Sequence, residues 1–425
     1  MLQVKAPRLG ESYVEREFPG GLTVRVIPKP GFAKKYAFLA ADYGSIDTAF
    51  TRNGEKIQSP DGVAHYLEHK MFDLEDGNAM QLFAAAGGSP NAFTSYDMTA
   101  YYFICTDRFE DNLRILLRFV LTPYFTEESV EKEREIIGQE IRMYEDSADS
   151  RLYENLFSAM FRNHPIRVPI AGTAQSIAKI TAKTLYGCYE TFYAPSNMML
   201  CVVGDVEPDV VFSAAEAMLP RERRGLPARD YGAAEAPDCG PQTVRQTMEI
   251  AMPMFSVGFR CEPPAAGRAG MKQEIVGDLA CELLAGEASP LYQRLYDGNL
   301  IDSDFSSGFE RVKGAALISF GGDSLEPETV QRELLEECRR QLAEGLDADA
   351  FRRLKKSAVG RRIRDLDSFE SICYRMCASF FDGASYFEFP DVYEEITLED
   401  VRAFLQSTVR ENRMVLSVIE PKERG

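Results

Sequence analysis

The chain has 425 residues, and a single hydrophobic core rarely grows beyond about 250–300 residues, so two or more domains are expected. Hydrophobic residues make up 45% of the chain and charged residues 27%, which excludes a disordered polypeptide. The net charge of −18 repels phosphate backbones, and no stretch approaches the ~20 apolar residues that cross a bilayer, so we expect neither a nucleic-acid partner nor membrane insertion.

The first predicted elements are two strands and a helix. Residues 22–26 and 36–40 are apolar runs typical of strands. Residues 59–61 precede the predicted helix, with serine as a preferred N-cap, proline at the first helical position and an acid that suits the helix dipole. The helix is supported by apolar residues at helical spacing, namely Val63, Tyr66, Leu67 and Met71.

Two of the three histidines in the chain, His65 and His69, lie in this helix. Residues four apart share a helix face, so both imidazoles can converge on one cation. Glu68 reaches the same face, and H-x-x-E-H is the zinc-peptidase motif in reverse order, with a carboxylate suited to act as general base on water at the metal. The alternative is a chance pair of histidines on a solvated face. The inner glutamate, the scarcity of other histidines and the capped helix argue against it.

Residues 87–103 predict a helix stop at two glycines, then two strands around a turn near Asp97. If the first strand lies at a sheet edge beside the metal, its free N–H and C=O groups can bind an extended peptide by strand addition. The alternative is an ordinary hairpin inside the sheet, which the sequence leaves open.

A catalytic zinc site usually has three protein ligands, so a third ligand is needed. Residues 126–161 predict a long helix with Thr126 as a possible N-cap. Glu133 and Glu140 lie two turns apart on one face, but spacing alone does not choose among the acids of this helix. His164 is a weaker candidate because Asn163-His164-Pro165 is typical of a turn. The acids are Glu127, Glu128, Glu131, Glu133, Glu135, Glu140 and Glu145.

The cysteines are scattered, odd in number and without a C-x-x-C pair, and several lie in apolar runs. This pattern predicts buried, reduced thiols and a cytoplasmic protein rather than a disulfide framework. The N-terminus has no apolar core of signal-peptide length. The nine positions are 105, 188, 201, 239, 261, 281, 338, 373 and 377.

The two halves of the chain resemble each other. Each has two strands, a long helical region, a helix after an Ile-Thr pair and a final apolar strand, at 198–203 and 414–418. This predicts an α+β chain of two tandem homologous α/β-sandwich halves, each a mixed or antiparallel sheet packed with helices. The predicted domains are residues 1–225 with the metal motif, a Gly- and Pro-rich linker at 226–241, and residues 242–425 without a metal motif.

With these motifs the chain resembles the insulinase (pitrilysin) family of metallopeptidases, the inverzincin group that includes mitochondrial processing peptidase. The resemblance is closest to the bacterial YmfH-type branch. The resemblance covers essentially the whole chain and implies a clamshell of two halves. It implies that His65, His69 and Glu140 bind Zn²⁺, that Glu68 is the general base and that Glu133 supports catalysis electrostatically. The residues that match the family's substrate-binding edge strand are Asn91, Ala92, Phe93 and Thr94.

One region departs from the family pattern. Family members use an arginine and a tyrosine seven residues apart to hold substrate, but Arg294 has no tyrosine seven residues on. Tyr296 and Asp302 occupy the matching positions, one residue too close together. The sequence therefore predicts a zinc endopeptidase for unfolded or short peptides that needs a paralogous subunit to supply the Arg/Tyr pair, in a heterodimer. The alternatives are a catalytically silent scaffold subunit and hydrolysis of a non-peptide amide.

Overall fold

The computed structural model of the protein describes residues 1–52, 54–240 and 242–422. The chain forms two compact units, and each is assembled from three separate segments. The first unit contains Met1–Ile141, Pro169–Tyr231 and Ile363–Glu388. The second unit contains Arg142–Val168, Gly232–Arg362 and Phe389–Gly425.

The described part of the chain forms fifteen α-helices. The helices are α1 Val63–Lys70, α2 Ala79–Ala86, α3 Phe109–Leu121, α4 Glu127–Asp146, α5 Ala148–Met160, α6 Ala174–Ile177, α7 Ala182–Phe192, α8 Pro208–Met218, α9 Gly267–Ala285, α10 Pro290–Asp297, α11 Pro327–Glu344, α12 Ala348–Arg364, α13 Phe369–Phe381, α14 Phe389–Glu395 and α15 Leu398–Thr408. Short 3₁₀ turns lie at Pro165–Arg167, Pro195–Asn197, Asp365–Asp367, Tyr386–Glu388 and Glu411–Arg413.

The strands build one large sheet in each unit and two small sheets. They are β1 Leu2–Ala6, β2 Glu11–Glu17, β3 Thr23–Pro28, β4 Lys35–Ala41, β5 Ala49–Arg52, β6 Glu55–Gln58, β7 Asp73–Leu74, β8 Gly77–Asn78, β9 Ser89–Thr94, β10 Thr99–Cys105, β11 Met198–Gly204, β12 Ala228–Arg229, β13 Gln242–Met248, β14 Met254–Arg260, β15 Ser306–Val312, β16 Ala315–Asp323 and β17 Met414–Pro421.

The two large sheets repeat one topology. In the first unit the order is β1-β2-β3-β11-β4-β10-β9, with β11 parallel to β3 and antiparallel to β4. In the second unit the order is β13-β17-β14-β16-β15, with β17 parallel to β13 and antiparallel to β14. The last five strands of the first sheet therefore match the second sheet strand for strand. The α+β class and the repeated sheet are confirmed.

Helices cover both faces of the first sheet. Successive side chains of a strand point to opposite faces. On β10, Tyr101 contacts Phe119 of α3, whereas Tyr102 joins Phe38 and Phe93 on the other face. Phe93 in turn contacts Tyr374 of α13, so α13 packs against this second face. The core therefore lies on both sides of the sheet, and β9 stays at its edge.

Residues of the predicted linker are held firmly in place. The short strand β12 pairs with β5, and Arg229 forms ion pairs with Asp42 and Asp47 in the first unit. Beyond Tyr231, Glu235 accepts hydrogen bonds from three successive backbone N–H groups at residues 162–164 of the second unit. This segment is therefore anchored on each unit rather than flexible.

The compact units do not follow the sequence halves throughout, because residues 142–168 belong to the second unit and residues 363–388 to the first. One boundary between the units, at Tyr231 and Gly232, falls within the predicted linker. The predicted domain limits along the sequence stay a prediction. Pro241 and residues 423–425, which they include, lie outside the described residues.

The predicted state of the cysteines is confirmed. All nine are buried, and none is joined in a disulfide. Burial raises the pKa of the Cys188 and Cys105 thiols to about 11, which keeps them protonated and unreactive near neutral pH. Among the described helices, none is both long and apolar enough to cross a membrane.

Candidate metal centre

The helix that carries the histidines is confirmed, but its predicted start is wrong. Helix α1 begins at Val63, and its N-cap is Gly62 with φ 89° and no side-chain cap. The Ser59 hydroxyl instead donates to the Thr48 carbonyl, which holds residues 59–61 against the preceding loop. Glycine is required at position 62 because a Cβ there would lie 2.4 Å from the Ala171 carbonyl oxygen.

Helices α1 and α4 are joined by polar contacts from Tyr66 and Lys70, the residues that directly follow the two histidines. The Tyr66 hydroxyl donates to the Val130 carbonyl, and Lys70 Nζ donates to the Ser129 carbonyl at 3.2 Å. Thr126 caps α4 as predicted, since its hydroxyl accepts from the Ser129 N–H. The predicted helix over 126–161 is broken, however, because Ser147 ends α4 and caps α5.

The packing face of α4 explains which acids reach α1. Val130, Ile137 and Ile141 are the buried residues of this helix. Glu133 and Glu140 flank Ile137 on the same face, so both point toward the buried side. The structure thus separates these two glutamates from the other acids of α4, which the spacing alone did not do.

His65, His69 and Glu140 form a group whose ligand atoms all lie within 4.8 Å of one another. His65 Nε2 is 3.6 Å from Glu140 Oε1, and His69 Nε2 is 3.5 Å from Glu140 Oε2. These separations are too long for strong hydrogen bonds. Two atoms each bound about 2.0–2.1 Å from a tetrahedral zinc lie roughly 3.3–3.4 Å apart, so the spacing and the N₂O donor set fit zinc.

Glu133 contacts His69 at Nδ1, the ring nitrogen that does not face Glu140. Its Oε1 lies 3.0 Å from His69 Nδ1, and its Oε2 lies 3.8 Å from the buried Lys70 Nζ. Burial disfavours both charges, but the hydrogen bond and the neighbouring charges outweigh it, so the pKa of Glu133 is lowered and the pKa of His69 is raised. A carboxylate on the outer nitrogen fixes the tautomer that leaves Nε2 free for a metal.

Glu68 lies beside this group and is not part of it. The Thr94 hydroxyl donates to Glu68 Oε2 at 2.7 Å. Burial raises the pKa of Glu68, and the neighbouring His65, the Thr94 hydrogen bond and His69 oppose this rise. A buried carboxylate with a raised pKa is suited to accept a proton and return it.

The predicted edge strand is confirmed as β9, which pairs only with β10 in the described sheet. The predicted features on either side of β9 also hold, since α2 ends at Gly87 with φ 74° before it and the turn lies between Thr94 and Thr99 after it. The Ala92 N–H donates to the Asn91 side-chain oxygen at 2.8 Å. Phe93 packs into the aromatic cluster on the sheet face opposite α1, so its side chain anchors the strand.

His164 belongs to the second unit and is not part of the group formed by His65, His69 and Glu140. It caps the turn at Pro165–Arg167, as the sequence indicated, with Nδ1 accepting from the Ile166 N–H and Nε2 donating to the Lys313 carbonyl. Both ring nitrogens are therefore used within the fold. Burial lowers the pKa of His164.

The region that departs from the family pattern lies in the second unit. Arg294 forms an ion pair with Glu337 at 2.8 Å. Tyr296 stacks on Tyr292 with ring centroids 6.0 Å apart. These side chains are engaged locally, and Arg294 in particular has a carboxylate partner of its own.

Sequence reasoning missed two contributors to the site. Lys70 is 2% exposed and lies beside Glu133. In the sequence it directly follows the H-x-x-E-H motif, and no role was predicted for it. The hydroxyl of Thr94 bonds the inner glutamate, whereas the sequence assigned Thr94 to substrate binding through its strand. A lysine directly after a metal motif is a usable sequence signal, because a lysine that becomes buried there needs partners for its charge.

Comparison with known proteins supports the same kind of site. Residues 55–174 match the profile of the insulinase family (peptidase family M16), and residues 179–358 match the M16 inactive domain. The chain is 38% identical over 99% of both chains to a Bacillus subtilis (strain 168) protein named as an uncharacterized zinc protease, YmfH.

Solved structures agree with these matches. An M16-like peptidase from Alicyclobacillus acidocaldarius is 32% identical, with a TM-score of 0.92 over 97% of this chain and 99% of that chain. A protease from Helicobacter pylori, with a TM-score of 0.83 over 96% and 99% of the two chains, is 18% identical and supports the fold alone. The fold and the metal-binding motif thus define an inverzincin-type chain. The chain belongs to the insulinase family, peptidase family M16.

Proposed function

We propose that the protein is a zinc-dependent endopeptidase that cleaves unfolded or short peptides. The observation that carries this proposal is the convergence of His65, His69 and Glu140, with Glu68 beside them and outside the ligand group. The name of the Bacillus relative supports zinc as the metal. The buried, reduced cysteines support a cytoplasmic location.

Each side chain has a defined task in this proposal. Zinc held by His65, His69 and Glu140 would polarise a peptide carbonyl and make water more acidic. Glu68 takes a proton from the attacking water on its free oxygen, Oε1, while Oε2 stays bonded to Thr94. Glu68 then gives that proton to the amide nitrogen as the C–N bond breaks. Glu133 keeps the outer nitrogen of His69 protonated.

The edge strand β9 would align the substrate. An extended peptide can add to its free edge through backbone hydrogen bonds, which tolerate many side chains. Because the Asn91 side chain covers the Ala92 N–H, it would have to move aside when the peptide binds. A folded protein rarely offers a free extended segment, so this mode favours unfolded or short peptides.

We also propose that a paralogous subunit contributes an arginine–tyrosine pair, in a heterodimer. Two observations support this proposal: no tyrosine lies seven residues after Arg294, and Arg294 is already engaged in an ion pair with Glu337. The second candidate function is a catalytically silent scaffold subunit, which the match of residues 179–358 to the M16 inactive domain favours.

The test compares wild-type protein with the Glu68→Gln variant, with Glu135→Gln on the exposed side of α4 as the control. Zinc content is measured by mass spectrometry, and cleavage is measured on a fluorogenic peptide library, with the chain alone and with a co-expressed paralogue. We expect both variants to bind one zinc, and Glu68→Gln to lose about 10²–10⁴-fold in rate because the general base is gone. Cleavage that is equal in wild type and Glu68→Gln, or missing in every wild-type sample, would favour the scaffold.

A further inference from the structure

The hydrogen bond between Thr94 and Glu68 joins the edge strand to the helix that carries the metal motif. The Thr94 hydroxyl lies 2.7 Å from Glu68 Oε2. An ionised carboxylate only accepts hydrogen bonds, so the hydroxyl must donate. A hydrogen bond to a charged group is roughly twice as strong as a neutral one, so this contact restrains the carboxylate.

The Thr94 hydroxyl lies against a second, buried threonine side chain. Thr94 lies opposite Thr99 across the β9–β10 pair, and the Thr99 hydroxyl oxygen is 3.4 Å away. Thr99 is fully buried, and its hydroxyl donates to the Tyr43 carbonyl at 2.9 Å. The oxygen next to Thr94 therefore belongs to a side chain that cannot move without breaking a buried hydrogen bond.

The strand is also prevented from rotating. Thr94 faces α1, so its neighbour Phe93 faces the opposite side of the sheet. There Phe93 contacts Phe38, Tyr102 and Tyr374 at centroid distances of 6.0, 6.4 and 6.0 Å. Turning Thr94 away from Glu68 would pull Phe93 out of this cluster.

We propose that Thr94 is a positioning residue that acts through Glu68, and this rests on the proposed function. Its hydroxyl holds Oε2, so that Oε1 alone handles the proton, and it keeps the carboxylate out of the ligand group formed by His65, His69 and Glu140. Because Thr94 belongs to the strand that would align the peptide, one element orients both the substrate and the base.

Two matched variants test this role. Thr94→Val keeps the shape and removes the hydroxyl, and Thr94→Ser keeps the hydroxyl and removes the methyl. We expect Thr94→Val to lower kcat about 10- to 100-fold with KM within twofold of wild type, because a displaced base slows the proton step without weakening strand addition. Thr94→Ser should keep most of kcat, and both variants should bind one zinc.

Peptide binding separates this role from a role of the side chain in substrate affinity. In the inactive Glu68→Gln background, adding Thr94→Val should leave the affinity for a fluorescent peptide unchanged. A weakened affinity, a raised KM, or a Thr94→Ser variant as slow as Thr94→Val would overturn the proposal. A Thr94→Val variant with the wild-type rate would also overturn it while leaving the proposed peptidase function intact.

Crystal structures of the zinc-loaded variants test the proposal even if no cleavage is found. Residue 94 should bond Glu68 Oε2 in wild type and in Thr94→Ser, and Glu68 should adopt a different rotamer or several rotamers in Thr94→Val. An unchanged Glu68 in Thr94→Val would contradict a positioning role.

Discussion

His69 Nδ1 lies 3.0 Å from Glu133 Oε1, while His69 Nε2 lies 3.5 Å from Glu140 Oε2. The imidazole thus stands between two glutamates of α4 that are two helical turns apart. Glu133 contacts Nδ1, which leaves Nε2 and Glu140 available to bind a metal. Because Glu133 and Glu140 contact different nitrogens of His69, experiments can distinguish their roles.

The two glutamates should differ in their effect on zinc binding. Glu133→Ala removes the acceptor that orients His69, so zinc affinity should fall about 10- to 100-fold. Glu140→Ala removes a ligand and should cost more. Competition with a chromogenic chelator measures both affinities, and Glu135→Ala on the exposed side of α4 is the control. Equal losses in Glu133→Ala and Glu140→Ala would contradict the assignment.

The start of α1 should depend on glycine at position 62. Gly62→Ala places a Cβ 2.4 Å from the Ala171 carbonyl oxygen at φ 89°, so we expect a loss of about 1–3 kcal/mol in the free energy of unfolding. Gly54→Ala is the matched control, because it has φ 83° and no heavy atom within 4 Å of the added carbon. Urea denaturation measures both. The steric explanation fails if the two variants lose the same stability.

The ion pairs of Arg229 should contribute strongly to stability. Arg229 lies 3.0 Å from Asp42 and 2.9 Å from Asp47, whose side chain is fully buried. Arg229→Met removes the positive charge beside two buried carboxylates, so the free energy of unfolding should fall by about 3–5 kcal/mol. Arg223→Met, which breaks an exposed pair with Glu17, should cost at most about 1 kcal/mol. Chemical denaturation of the two variants would show similar losses only if the Arg229 pairs are weak.

His164 should make the protein less stable in mild acid. The pKa of His164 is lowered by burial below its ordinary value of 6.5, so the unfolded chain binds the proton more readily than the folded chain. Its contribution is present in full above about pH 6.5 and is lost as the pH falls further. Between pH 7.5 and 5.5, wild type should lose more unfolding free energy than His164→Gln, which has no titrating ring. Parallel losses in the two proteins would contradict this prediction.

The sequence predicted the parts of the fold that depend on local patterns. Apolar runs located the strands, and the spacing of His65, Glu68 and His69 located the helix and two of the three candidate metal ligands. The start of α1 was misjudged because residues 59–61 carry a convincing capping pattern. The backbone of Gly62 must instead approach Ala171, more than one hundred residues away, and no local rule reports such a contact.

The choice between Glu133 and Glu140 also lay beyond the sequence pattern. Seven acids share the segment from residue 127 to 145, and helical spacing places several of them on neighbouring faces. Only the packing of Ile137 and the position of Lys70 distinguish a ligand from its support. The family resemblance implied this assignment of the two glutamates without giving the physical reason for it.

The first unit, which contains the candidate metal ligands, includes a segment from late in the sequence, so it can be completed only late in synthesis. Segment Ile363–Glu388 belongs to the first unit, and α13 within it covers the sheet face where Tyr36 and Phe38 are buried. During synthesis this face stays uncovered until α13 has left the ribosome. Exposed aromatic surface of this kind attracts chaperones and promotes aggregation. We therefore expect metal loading to follow synthesis of the full chain, and prematurely ended chains to be removed before they acquire zinc.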